Sequence, residues 1–95
     1  MNKKVLFITD TLEELDLKKD TSILMMEESI KLGFDVYQCL VEDLYAENSE
    51  VIVFAKKITT AGSSEIKFED ASTHSIKTFE YSFMRKDPPV DEDYI

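Results

Sequence analysis

Little in this sequence interrupts regular structure: 95 residues contain two glycines, two prolines and no low-complexity stretch. That scarcity excludes a linker-rich or disordered chain, and it leaves no glycine-rich loop to cradle phosphate groups. A single cysteine, Cys39, excludes an internal disulfide. It lies in the apolar run Val36, Tyr37, Cys39, Leu40, Val41 and reads as a buried structural thiol. Positive charge is also scarce, with 11 Lys and Arg against 20 Asp and Glu and a formal net charge of -9. A field of that sign repels a phosphate backbone, so nucleic acid is not an expected partner. Long hydrophobic runs are missing too. The one at Val5 to Thr9 stops at Asp10, too short for a signal peptide or a membrane span, so the chain reads as cytoplasmic with no membrane partner. The lone histidine, His74, sits between Thr73 and Ser75, has no further ligand at metal-binding spacing, and reads as a surface residue.

What is present is patterned. Val5 to Ile8 is wholly apolar and rich in strand formers, as in a strand buried on both faces. After a polar stretch from Asp10 to Lys19, the residues Asp20, Thr21 and Ser22 offer helix caps. Ile23, Met26 and Ile30 then share one face, Glu27 and Lys31 stand at i,i+4, and Gly33 is placed to close the helix at C′. Asp35 to Val41 predicts a second strand. Strand, helix and strand make a βαβ unit with parallel strands.

Farther along, Asp43 to Ala46 and Val51 to Thr60 predict a hairpin around a four-residue loop, Glu47 to Glu50. Gly62 to Ser64 is a turn, and Ile66 and Phe68 mark a short strand. From Ile76 to Met84 the residues Phe79, Tyr81 and Phe83 alternate with polar ones, which predicts one half-buried strand. Pro88 and Pro89, followed by Asp91, Glu92 and Asp93, suit the first turn of a helix. The helix has no room to continue, which predicts a domain, 1–95, truncated at its C-terminus. The expected class is α/β with a mostly parallel sheet and a β-hairpin excursion.

Two clusters place cations beside structural ends. Lys18-Lys19-Asp20-Thr21-Ser22 puts ammonium groups at a helix N-terminus, where free N–H groups and the dipole favour anions. Met84-Arg85-Lys86-Asp87-Pro88-Pro89 follows the last strand. An Arg there is suited to grip a carboxylate through two parallel hydrogen bonds, and the proline pair stiffens the turn. In an open α/β sheet, ligands bind beyond the carboxyl ends of strands. Adjacent first and last strands would bring both clusters to one edge. Taken alone, neither cluster supports a site: Lys18-Lys19 reads more readily as a solvated turn, Asp20 or Thr21 as a helix cap, and Arg85-Lys86 as a surface pair balancing Asp87.

Together the segments KKDTS, DLY and MRKDPP, in that order, resemble the N-terminal domain of prokaryotic glutathione synthetases, of the ATP-grasp ligase family. The resemblance implies a Rossmann-like, pre-ATP-grasp three-layer domain forming one wall of a substrate cleft. It implies a parent enzyme that joins γ-glutamylcysteine to glycine with ATP and Mg through an acyl phosphate attacked by the glycine amine. Carried over residue by residue, it implies that Arg85, Lys18, Thr21 and Ser22 bind substrate, and that Asp10, Asp20, Asp43 and Asp87 support the structure. The family's nucleotide and metal residues lie in later domains, so no catalytic or metal residue and no cofactor is expected in these 95 residues, and the chain alone is expected to be inactive. Two departures stand out: Thr11 follows Asp10 where the family usually has proline, and Phe79 to Phe83 is less uniformly apolar than the family's strand. The alternatives are a non-catalytic ligase-like module for oligomer contacts or anionic metabolites, and a domain of another ATP-grasp peptide ligase. A homo-oligomer is compatible with each.

Overall fold

The computed structural model describes residues 2–12, 21–62 and 64–84. Its elements are β1 (Lys4–Ile8), α1 (Thr21–Lys31), β2 (Asp35–Cys39), β3 (Leu44–Glu47), β4 (Glu50–Ala61), β5 (Ile66–Phe68), β6 (Ser72–Ser75) and β7 (Tyr81–Met84). Short 3₁₀ turns occupy Val41–Asp43 and Ile76–Thr78. Thus the fold is α/β, with one curled seven-stranded sheet and a single α-helix among the described residues.

Strand β1 lies inside the sheet, parallel to β2 on one side and to β7 on the other. That position explains its sequence: Val5, Leu6 and Phe7 are fully buried, because neighbours cover both faces of an interior parallel strand. Helix α1 connects β1 to β2 and ends where Gly33 adopts φ 93°. Gly33 N–H donates to the Ile30 carbonyl and Phe34 N–H to that of Ser29, both at 3.0 Å. This is the Schellman pattern of a C′ glycine.

The sheet is mixed rather than mostly parallel. The twelve-residue β4 pairs antiparallel with β2, β3, β5 and β6. The physical reason is connection length, since hairpin-linked strands pair antiparallel and a parallel neighbour needs a crossover. The hairpin loop also differs from expectation. Glu47 pairs with Glu50, so two residues make the turn, Asn48 at φ 50° and Ser49 at φ 67°. Two left-handed residues give a type I′ turn, whose twist matches that of the strands.

The expected strand from Ile76 to Met84 is broken. Residues Ile76–Thr78 form a 3₁₀ turn, with the Thr78 hydroxyl donating to the Ser75 carbonyl at 2.7 Å, and β7 starts only at Tyr81. Phe79 does not share a face with Tyr81 and Phe83, which stack with ring centres 6.4 Å apart. Phe79 is buried against Leu6, Ile8, Cys39, Val53 and Ala55, while Phe83 packs with Val5, Phe7, Ile23 and Met26 beneath α1. Those two clusters are the two sides of the sheet. One is covered by α1, and the other is enclosed by the curl of β4 with β6 and the 3₁₀ turn. Among the described residues no helix is long and apolar enough to cross a membrane.

Candidate functional site

The register of the three parallel strands defines an edge. Ile8 pairs with Cys39 on one side and Met84 on the other, so the chain leaves β1, β2 and β7 side by side at their carboxyl ends. Asp35 N–H donates to the Lys3 carbonyl at 2.9 Å, which fixes the end of α1 at the opposite, amino edge. The start of α1 therefore faces the carboxyl edge. Thr21 is exposed there and Ser22 is buried. Asp10 follows β1, and Asp43 closes the turn after β2. Lys18, Asp20, Arg85 and Asp87 lie outside the described residues.

A buried polar pair shapes this edge. Thr9 and Gln38 are almost wholly inaccessible. The Gln38 amide Nε2 donates to Thr9 Oγ1 at 2.9 Å and approaches the Cys39 and Asp10 carbonyls at 3.3 and 3.4 Å. Thr9 Oγ1 donates onward to the Asp10 carbonyl at 2.7 Å, and Thr9 N–H bonds the Cys39 carbonyl at 3.0 Å. Buried polar groups are costly unless satisfied, and this set satisfies itself while pinning the backbone at the end of β1. Asp43 holds the neighbouring turn: its Oδ2 accepts from Leu40 N–H at 2.9 Å and its own N–H returns to the Leu40 carbonyl at 3.0 Å.

Between these groups lies a hollow of about 100 Å³ lined by Thr11, Leu12, Gln38, Leu40, Asp43 and Lys56. The Lys56 ammonium rests 4.3 Å from the Phe68 ring centre, a cation–π contact. Cys39 beside it is 1% exposed. Burial, with the Asp43 charge adding to it, pushes its thiol up to about 12, so a thiolate nucleophile is not on offer. Thr9, Gln38 and Lys56 were not among the sequence candidates. The available signal was Gln38 itself, a polar residue set between Tyr37 and Cys39 inside an otherwise apolar and aromatic run, Val36 to Val41.

Comparison with known proteins decides the family. The profile of the prokaryotic glutathione synthetase N-terminal domain matches residues 3–95. The chain belongs to that family.

A glutathione synthetase of Parasynechococcus marenigrum is 32% identical over 90 residues, covering 95% of this chain and 29% of the relative. One from Nitrosomonas europaea is 33% identical over 97 residues, covering 97% and 30%. One from Salmonella typhi is 29% identical over 94 residues, with the same coverage of 97% and 30%. The chain thus spans less than a third of the length of these relatives. The family match includes the Lys18–Ser22 segment, all of β7 and the Arg85–Pro89 segment that follows it.

Proposed function

We propose that this chain forms one wall of the substrate cleft of a glutathione synthetase, an ATP-dependent ligase that joins γ-glutamylcysteine to glycine. The observation that carries this reading is the family match over residues 3–95, joined to the pairing of β1 with both β2 and β7. That pairing ends β1, β2 and β7 side by side at Ile8, Cys39 and Met84, the kind of edge beyond which ligands of open α/β sheets bind. The β1–α1–β2 unit with β7 is read as the Rossmann-like part of the domain, and the setting as cytoplasmic.

Within this reading Arg85, the residue after β7, grips a substrate carboxylate, and Lys18 adds a cation before α1. Thr21 and Ser22 present the helix start to the same anion. Charge-assisted hydrogen bonds of this type contribute about 1.5–3 kcal/mol each. The larger effect is alignment, because a misplaced carboxylate loses near-attack geometry.

Within this reading the nucleotide and Mg are held by the rest of the ligase. No group of three His, Cys, Asp or Glu residues is placed among them to hold a metal ion, and Gly33 and Gly62 are too far apart in sequence for a phosphate loop. These 95 residues are accordingly read as inactive on their own. The test is ATP turnover by the protein that carries this domain. ADP release should require both γ-glutamylcysteine and glycine. Turnover indifferent to the two would sink the reading.

A further inference from the structure

His74, isolated in the sequence, sits in a polar cluster at the amino end of β1, at the opposite edge from the substrate wall. Lys4 Nζ donates to His74 Nδ1 at 2.9 Å and to Thr78 Oγ1 at 3.0 Å. The same ammonium lies 4.7 Å from the Phe79 ring centre and 5.1 Å from that of Tyr37. On its other side, His74 Nε2 is 2.9 Å from Ser72 Oγ. The imidazole itself packs edge-on against Tyr37, with ring centres 4.7 Å apart, and tilts toward Phe79 at 5.7 Å.

An ammonium has protons to give and no lone pair to receive one. The 2.9 Å contact therefore needs a bare Nδ1, which assigns the Nε2–H tautomer and makes Ser72 Oγ its acceptor. Three parts of the chain meet here: β1 through Lys4, β2 through Tyr37, and the segment from β6 to Phe79.

The charges around the pair do not neutralise it. Asp35, on β2, is taken by Lys57 of β4 at 3.5 Å and by the Asn2 amide at 3.3 Å. Glu50, on β4, accepts the Ser75 hydroxyl at 2.8 Å, and Glu80 faces Lys3 at 4.0 Å. Tyr45 and Glu47 of β3 share a shallow hollow with His74, and Lys77 on the 3₁₀ turn is exposed. Among the described residues no carboxylate lies within ion-pair distance of Lys4 or His74.

We propose that Lys4 and His74 form a proton-sensitive latch, in which uptake of a proton by His74 puts two cations in one contact and loosens the 3₁₀ corner, residues 76–79, from β1 and β2. The rest of the sheet is held by backbone ladders and stays folded, so the opening is local. Electrostatics support the geometry. Burial and then the Lys4 charge push His74 below its ordinary 6.5, while burial, partly offset by Asp35, lowers Lys4. A histidine whose folded pKa is depressed contributes stability that is present above 6.5 and is lost as pH falls through the folded value.

The test is amide hydrogen exchange on the intact chain at about pH 7.5 and about pH 5.5, corrected for intrinsic rates, with imidazole NMR titration alongside. An opening linked to one proton grows by up to about tenfold per pH unit. Thr78, Phe79 and Glu80 should lose protection on that scale in wild type and not in His74→Gln, while β1 amides hold. Lys4→Met should raise the His74 pKa and flatten the pH response. Equal acid loss in wild type and His74→Gln would overturn the latch. So would a wild-type His74 ring that is protonated at neutral pH, an outcome readable even where a variant folds poorly.

Discussion

Gln38 shows how one side chain decides the shape of an edge. Its amide holds Thr9 Oγ1 and two carbonyls, but each of the three keeps another hydrogen bond: Thr9 Oγ1 donates to the Asp10 carbonyl, and the Cys39 carbonyl takes Thr9 N–H. Replacing Gln38 with Leu therefore leaves each of these groups with one hydrogen bond and should cost about 1 kcal/mol. Thr9→Val is different. It removes the short 2.9 Å acceptor and leaves a buried amide with two long contacts, at about 2 kcal/mol. Urea denaturation at constant m-value measures both, and the order Thr9→Val worse than Gln38→Leu is the expected result. Cys39 was legible at this scale, because an apolar run buries its thiol whatever the partners. His74 was not, since Lys4 lies 70 residues away and nothing local marks the pair.

The elements were legible where their signal is local. Capping residues, an apolar stripe and Gly33 marked α1, and a fully apolar run marked β1 as interior. The β3–β4 turn misled because Glu-Asn-Ser-Glu lacks the glycine that usually announces a two-residue loop. Ser49 occupies φ 67° without glycine's freedom, so Ser49→Gly should raise stability by about 0.5–1 kcal/mol. A lower urea midpoint for that variant would show that the turn relaxes another way. The broken strand at residues 76–84 misled for a different reason. Alternation of Phe79, Tyr81 and Phe83 looks like one half-buried strand, but the chain changes faces between Phe79 and Phe83 as it crosses from β6, beside β4, to β7, beside β1.

At the scale of the whole molecule, pairing order is non-local, and local patterns carry only part of it. The parallel β1–β2 pair follows from a crossover helix, whereas the antiparallel role of β4 toward four strands follows from its length and position. The outcome is a strand β1 with a different role proposed for each end. Its carboxyl end, with β2 and β7, forms the edge read as the substrate wall, and its amino end carries Lys4. With a net charge of -9, this domain does not attract an anionic peptide at long range, so the proposed substrate binding rests on a few local cations. Substrate gripped by Arg85 and Lys18 is the central claim, and titration calorimetry of this chain with γ-glutamylcysteine tests it most directly. The account predicts weak binding that falls by about tenfold or more in Arg85→Ala and in Lys18→Ala. Equal affinity for wild type and both variants would contradict it.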